Sequence, residues 1–437
     1  MRKSFFYIII LLIIFGVSVS WIKNFDRAQD KIFLKKNFQI ITFTKKIENK
    51  RYREDRVIVK YKAGITALDK KSFFERTGFK KEVKLINGFY LLKRDDLSIP
   101  MKEMISKLKE LPIIDYVEPD YIAYAQSITP NDPYFTYQFY LKSNGQILQI
   151  GDNKIAPKIG ADIKATDAWE HSKGKEEVII AVIDTGVDFS HPDLRNKLLE
   201  GYNFVKGDPY AIDDNGHGTA MSGIIAASTN NSLGIAGICW NCKILPIKVL
   251  DKDGVGSYSN IALGIQYAIN NGAKIISMSL GGSAPSYLLE SAVKEAYTKG
   301  IPVFAATGND GTTSVLYPAA YTSYVLGVGA TNYVDKKPNF SNYGPEVRVA
   351  APGVYILTTY VGGRYAYVSG TSPATAVVAG IAGLIISKKE FLTPDELYKI
   401  LEFSADDVNK AAYPGVDVFM GYGRVNAKTA LAPIILN

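Results

Sequence analysis

One serine in this chain stands where a helix must begin. Gly370-Thr371-Ser372 opens a run of small and apolar residues, Pro373-Ala374-Thr375-Ala376-Val377-Val378-Ala379-Gly380. The backbone N–H of Ser372 and the positive end of the helix dipole would favour negative charge developing beside its side chain. A serine hydroxyl is a poor nucleophile at neutral pH. It needs a base within hydrogen-bond reach, and that base needs an acceptor to orient it. The histidines are His171, His191 and His217. His171 sits in a polar stretch and reads as a surface residue. His191, in Ser-His-Pro-Asp, reads as a loop residue positioning Asp193. His217 lies between glycines in Gly216-His217-Gly218-Thr219 at a helix start, so its ring can face a cleft and serve as the base. Asp184-Thr185-Gly186 follows an apolar strand over residues 178–183. Its carboxylate would hold the His217 tautomer and stabilise the imidazolium. The implied chemistry is acyl transfer through a serine nucleophile.

From residue 178 onward, strand patterns alternate with helix patterns. Apolar runs at 178–183, 244–249, 275–279, 303–307 and 325–328 lack a polar face, as strands buried on both sides do. Helical spacing fits 219–227, 259–270, 288–299 and 373–387. The alternation predicts an α/β fold, a doubly wound, mostly parallel sheet. Ligands bind such sheets beyond the carboxyl ends of the strands, where Asp184 and Asn309 stand.

The chain order Asp184, His217, Ser372 is that of subtilisin. The same geometry occurs on other folds in other orders. With Gly216-His217-Gly218-Thr219 and Gly370-Thr371-Ser372, the sequence from residue 129 to 431 resembles the subtilisin-like serine proteases. That resemblance implies an endopeptidase. It makes Asn309, in Ala305-Ala306-Thr307-Gly308-Asn309, the side-chain donor to the oxyanion. It casts Ser279, Leu280 and Gly281 as a strand that pairs with an extended substrate. Ala306, Thr307 and Gly308 become the opposite wall of the first specificity pocket, with Leu316 at its floor and an apolar or mid-sized P1 side chain favoured. Tyr317-Pro318 resembles the family's cis-proline bond. Asn230-Asn231-Ser232-Leu233-Gly234-Ile235-Ala236-Gly237 resembles the family's calcium loop. Asn231 would give a side-chain oxygen to a structural Ca²⁺, Thr229, Leu233 and Ile235 carbonyls, and Asp132 and Asp193 carboxylates, as a hard cation requires. Gln126 is an alternative to Asp132. Three departures stand beside the serine: Pro373 replaces the usual methionine, Ala376 the usual proline, and Val377 a frequent histidine. Pro373 is expected at the first helical position, where its missing N–H costs nothing.

Residues 54–124 read as a small α+β unit in the order βαββαβ, which is ferredoxin-like. Asn87-Gly88 marks its hairpin. Its exit, Tyr116-Val117-Glu118-Pro119-Asp120 and then Ala123-Tyr124-Ala125-Gln126-Ser127, resembles a subtilisin propeptide junction cut after the tyrosine. The unit is therefore expected to act as folding aid and inhibitor, with residues 125–437 forming the peptidase. Arg2-Lys3, the apolar stretch 5–17 and Ser18-Val19-Ser20 read as an export signal over residues 1–20. An uncleaved membrane anchor reaching Ile22 is the alternative, since about 18 apolar residues could span a bilayer. Residues 21–53 are a lysine-rich spacer. Either way the expected location is secreted or at the cell envelope. There, Cys239 and Cys242, in Cys-Trp-Asn-Cys, suit a local disulfide, with a free thiol pair as the alternative.

The formal net charge is +8, but residues 1–124 carry 26 Lys/Arg against 15 Asp/Glu and the rest 25 against 28. The peptidase portion thus offers no basic face to attract phosphate, which argues against nucleic-acid binding. Protein or peptide substrates and its own propeptide are the expected partners of a monomer. A kexin-like processing protease would need an acidic cluster near the pockets, and none is apparent. A dead scaffold would not keep all three catalytic residues. A serine–glutamate–aspartate peptidase would not keep Gly-His-Gly-Thr.

Overall fold

The computed structural model describes residues 52–122 and 128–432, which form two compact units. The export signal, most of the spacer and the Tyr124-Ala125 junction with Gln126 lie outside the described residues.

The first unit runs β1 (Tyr52–Tyr61), α1 (Ala67–Thr77), β2 (Lys81–Lys84), β3 (Phe89–Lys93), α2 (Met101–Lys109) and β4 (Ile114–Tyr121). Its strands form one antiparallel sheet in the order β2-β3-β1-β4. Thr66 and Asp69 close a capping box that starts α1, and Gly78 ends it in the left-handed conformation. Val57 and Val59 alternate inward from β1. They share one core with Phe73 of α1 and with Met101, Met104 and Leu108 of α2.

In the second unit a 3-10 turn (Phe135–Tyr137) precedes a two-stranded hairpin, β5 (Leu148–Ile150) and β6 (Asn153–Ile155), and a short helix, α3 (Ala165–Ala168). There follow β7 (Ile179–Asp184), β8 (Tyr202–Asn203), α4 (His217–Ala226), β9 (Lys243–Lys248), α5 (Tyr258–Asn270) and β10 (Ile275–Met278). Next come α6 (Tyr287–Thr298), β11 (Val303–Ala306), β12 (Val325–Thr331) and β13 (Val347–Pro352). The chain closes with a hairpin, β14 (Ile356–Tyr360) and β15 (Arg364–Val368), then α7 (Thr371–Lys388), α8 (Pro394–Phe403) and α9 (Ala427–Leu431). A seven-stranded parallel sheet has the order β13-β12-β11-β10-β7-β9-β8.

Both faces of that sheet are covered, which explains the unbroken apolar runs. On β7, Ile180 and Val182 face a core shared with α4 and α7. Ala181 and Ile183 face a second core built with α5 and α6. α7 is long and apolar enough to cross a membrane, yet every residue from Thr371 to Ile385 is buried, as a helix apolar on all sides must be. The strand order reverses between β7 and β10, and ligand crevices form at that kind of switch. Cys239 and Cys242 are joined as a disulfide, buried against α7 at Gly383.

Candidate active site

Asp184 is the last residue of β7 and is fully buried. His217 is the first residue of α4. Its Nδ1 lies 2.8 and 2.9 Å from the two Asp184 carboxylate oxygens. Glycines on both sides make this approach possible. Gly216 has φ 113°, and a Cβ on it would lie 2.5 Å from the Tyr360 ring; a Cβ on Gly218 would lie 2.1 Å from the Gly186 carbonyl oxygen.

Ser372 is the second residue of α7. α7 packs on α4, so one face of the sheet presents both helix starts to one cleft of about 730 Å³, lined by His217, Asn309 and Ser372. Asn309 lies three residues past the end of β11. Its Oδ1 accepts from Thr371 N–H (2.8 Å) and Thr371 Oγ1 (2.9 Å). That fixes the amide with its oxygen on Thr371, at the start of α7. The Ser372 hydroxyl donates to the Ser279 carbonyl at 3.1 Å, and Ser279 Oγ donates back to the Ser372 carbonyl at 2.9 Å. Pro373 sits at the third helical position, not the first. Its fourth predecessor, Ser369, lies outside the helix, so the ring meets no helical carbonyl.

Ser279, Leu280 and Gly281 line the cleft, as do Ala306, Gly308 and Leu316. Leu316 packs so closely against both walls that a Cβ on Gly281 or Gly308 would lie within 2.9 Å of it. Thr307 is different: it is fully buried, and its hydroxyl donates to the Val328 carbonyl at 3.2 Å, so only its neighbours form the wall. Asp253 and Asp310 also line the cleft, and Asp253 is paired with Lys252 at 2.8 Å. The Tyr317-Pro318 bond is cis.

The remaining histidines stand apart from this cleft. His171 is exposed. His191 is buried, and its Nδ1 accepts the Asp193 N–H at 3.2 Å. Burial pushes its ring below the usual histidine range, which keeps it neutral.

Around the 229–235 loop, Asp132, Asp193 and Asn231 are engaged in hydrogen bonds. Asp132 accepts the N–H groups of Asn230 (2.8 Å) and Asn231 (3.3 Å). Asp193 accepts from Asn231 Nδ2 (3.0 Å), Ile235 N–H (3.0 Å) and the Tyr365 hydroxyl (2.8 Å). Asn231 Oδ1 accepts the Leu233 N–H at 2.8 Å, and the Thr229 hydroxyl donates to the Ala227 carbonyl at 2.9 Å. Asp132 and Asp193 are both buried, and among the described residues no lysine or arginine forms an ion pair with either. Burial, with the Asp193 charge nearby, holds the Asp132 carboxyl above its ordinary range. Two buried carboxylates beside the Asn231 amide are the donor type that a hard cation takes.

Sequence reasoning missed the groups behind the Asp184–His217 pair. Lys248, 1% exposed, donates to the carbonyls of Thr185 (2.7 Å) and Leu250 (2.8 Å) and to Asp214 (2.7 Å). Tyr360 donates to the Asn215 carbonyl at 3.1 Å. Asp213 was invisible because Asp213-Asp214-Asn215 reads as a solvated turn.

A parallel sheet with an aspartate and a histidine paired at its switch point, facing a serine at a helix start, defines a hydrolase of the serine class. The chain belongs to the subtilase family, whose sequence pattern matches residues 175–423. The pattern of the fervidolysin N-terminal prodomain matches residues 41–120. The chain is similar to the thermophilic serine proteinase of Bacillus sp. strain AK1, 38% identical over 87% of this chain and 88% of that one. It is similar to thermitase of Thermoactinomyces vulgaris, 42% identical over 69% of this chain and 99% of that one. Among solved structures, a protease from Pseudoalteromonas arctica matches with TM-score 0.61 and 31% identity, covering 70% of this chain and 99% of that one. The protein is a subtilisin-like serine peptidase with an N-terminal prodomain.

Proposed function

We propose that the chain is a secreted endopeptidase, made as a zymogen, that cleaves extended polypeptides through Ser372, His217 and Asp184. The observation that carries this is the bond of His217 Nδ1 to both Asp184 oxygens, 2.8 and 2.9 Å, at the cleft that holds Ser372. Held this way, Nδ1 carries the proton and Nε2 is the basic atom. The Ser372 hydroxyl turns from the Ser279 carbonyl to Nε2 when substrate binds; catalytic hydrogen bonds tighten in the complex. Oγ then forms a bond to the peptide carbonyl carbon as its proton passes to His217. The oxyanion is received by Asn309 Nδ2 and the Ser372 N–H. The C–N bond breaks, the imidazolium returns the proton to the leaving amine, and water hydrolyses the acyl-enzyme by the same route.

The edge at Ser279-Leu280-Gly281 would pair with substrate backbone, and Leu316 between the walls favours an apolar, mid-sized P1 side chain. The prodomain would inhibit the peptidase until the chain is cut after Tyr124. Asp132, Asp193 and Asn231, with carbonyls of Thr229, Leu233 and Ile235, would hold a structural calcium ion. When bound, the ion supplies positive charge that offsets two buried carboxylates and staples the loop.

The test is kinetic. Ser372→Ala should lower kcat about 10⁶-fold and Asn309→Ala roughly 10²–10³-fold, the losses known for the corresponding groups of subtilisin. A Ser372→Ala protein cleaving casein at near wild-type rate would refute the assignment.

A further inference from the structure

We propose that Asp213 is the positioning residue of this site, locking the strand end that carries Asp184 to the helix start that carries His217, and that it works through Thr185 and Thr219. The inference rests on the triad reading above and adds a fourth part to it, a second carboxylate.

Asp213 lies four residues before His217 and is 8% exposed. Its carboxylate accepts five hydrogen bonds. Oδ1 takes the Thr185 hydroxyl (2.8 Å) and the N–H groups of Asn215 (3.0 Å) and Gly216 (2.8 Å). Oδ2 takes the Thr219 N–H (2.9 Å) and the Thr219 hydroxyl (2.6 Å). α4 has glycine at its cap position and no side-chain cap bond there, so Asp213 supplies the anion that its first turn otherwise lacks.

The link to Asp184 runs through the next residue. Thr185 gives its hydroxyl proton to Asp213 and receives the Gly218 N–H on the same oxygen at 2.9 Å. Its own N–H donates to Asp184 Oδ1 at 2.7 Å. Thus a ring runs from Asp184 through Thr185 to the Gly218 N–H and, by the peptide bond, to His217 and back to Asp184, and Asp213 braces it by bonding both Thr185 and Gly216. Every partner of Asp213 is a donor, so the group must be acceptor-only. An amide in its place would set N–H against N–H. Asp213 touches neither substrate nor reacting atoms. Its effect must appear as His217 displaced relative to Asp184, and a 1 Å misplacement can cost about 10²-fold in rate.

The experiment uses the matured enzyme, or the full chain wherever maturation fails. It compares Asp213→Asn, Thr185→Val and Thr185→Ser with wild type and with Ser372→Ala. Steady-state kinetics on a peptide anilide are read beside the downfield proton resonance of the His217 Nδ1–H bond to Asp184. We expect kcat to fall about 10²-fold in Asp213→Asn and Thr185→Val with KM within about threefold, the resonance shifted or lost, and Thr185→Ser restored to near wild type. If Asp213→Asn does not fold, the Thr185 pair decides by itself. Wild-type kcat and an unmoved resonance in Thr185→Val, even with lowered thermal stability, would overturn the inference. Activity retained by Ser372→Ala would instead overturn the triad reading.

Discussion

Pro373 stands beside the proposed nucleophile, where it bears on the enzyme's resistance to oxidation. Where subtilisins commonly carry methionine, whose thioether oxidises to a polar sulfoxide, this chain has a ring that cannot. The methionines of the catalytic unit, Met221, Met278 and Met420, are at most 2% exposed. Peroxide should therefore inactivate the mature enzyme slowly. Pro373→Met should be inactivated several-fold faster, measured as loss of anilide hydrolysis over time. Equal rates in two variants of equal starting activity would show that the position is not the liability. At this scale most of the site was legible. Asp184, His217, Asn309 and Ser372 stand in short, distinctive settings that local sequence carries. Thr185 and Asp213 were not legible. Their role arises only when residues 28 positions apart meet, and nothing local distinguishes them from turn residues.

At the scale of elements, legibility followed burial. The strands of the parallel sheet are sandwiched between helices, so they appear as unbroken apolar runs. β14 escaped notice because its core-facing residues include Thr358 and Thr359. Both are fully buried, with hydroxyls donating to the carbonyls of Ala220 (2.6 Å) and Thr219 (2.7 Å). Threonine in such a place looks polar in sequence and behaves as core in the fold. α8 did leave a signal: Thr393 caps it, Pro394 opens it and Glu396 completes a capping box. The 229–235 loop is where the proposed calcium ion would act. A calcium ion bound only to the folded state adds about 2.7 kcal/mol at a hundredfold excess over Kd. Excess EDTA should shorten the half-life of the mature enzyme at high temperature, and Asp132→Asn should do so without chelator. An unchanged half-life, with metal analysis finding no calcium, would remove the ion from this account.

The whole molecule combines a small unit with its own core and a larger one that carries the chemistry. If the prodomain is removed by the enzyme's own site, maturation and catalysis share one nucleophile. Wild type should yield a product starting at Ala125, read by N-terminal sequencing, while purified Ser372→Ala should keep its prodomain. Efficient processing of purified Ser372→Ala would mean that the cut is not autocatalytic. Covalent capture asks whether Ser372 is the nucleophile of this peptidase. The mature enzyme is treated with a fluorophosphonate and its peptides mapped by mass spectrometry. One adduct is expected, on Ser372, formed in step with loss of activity and absent from His217→Ala. An inactivated enzyme bearing its adduct on any other residue would contradict it.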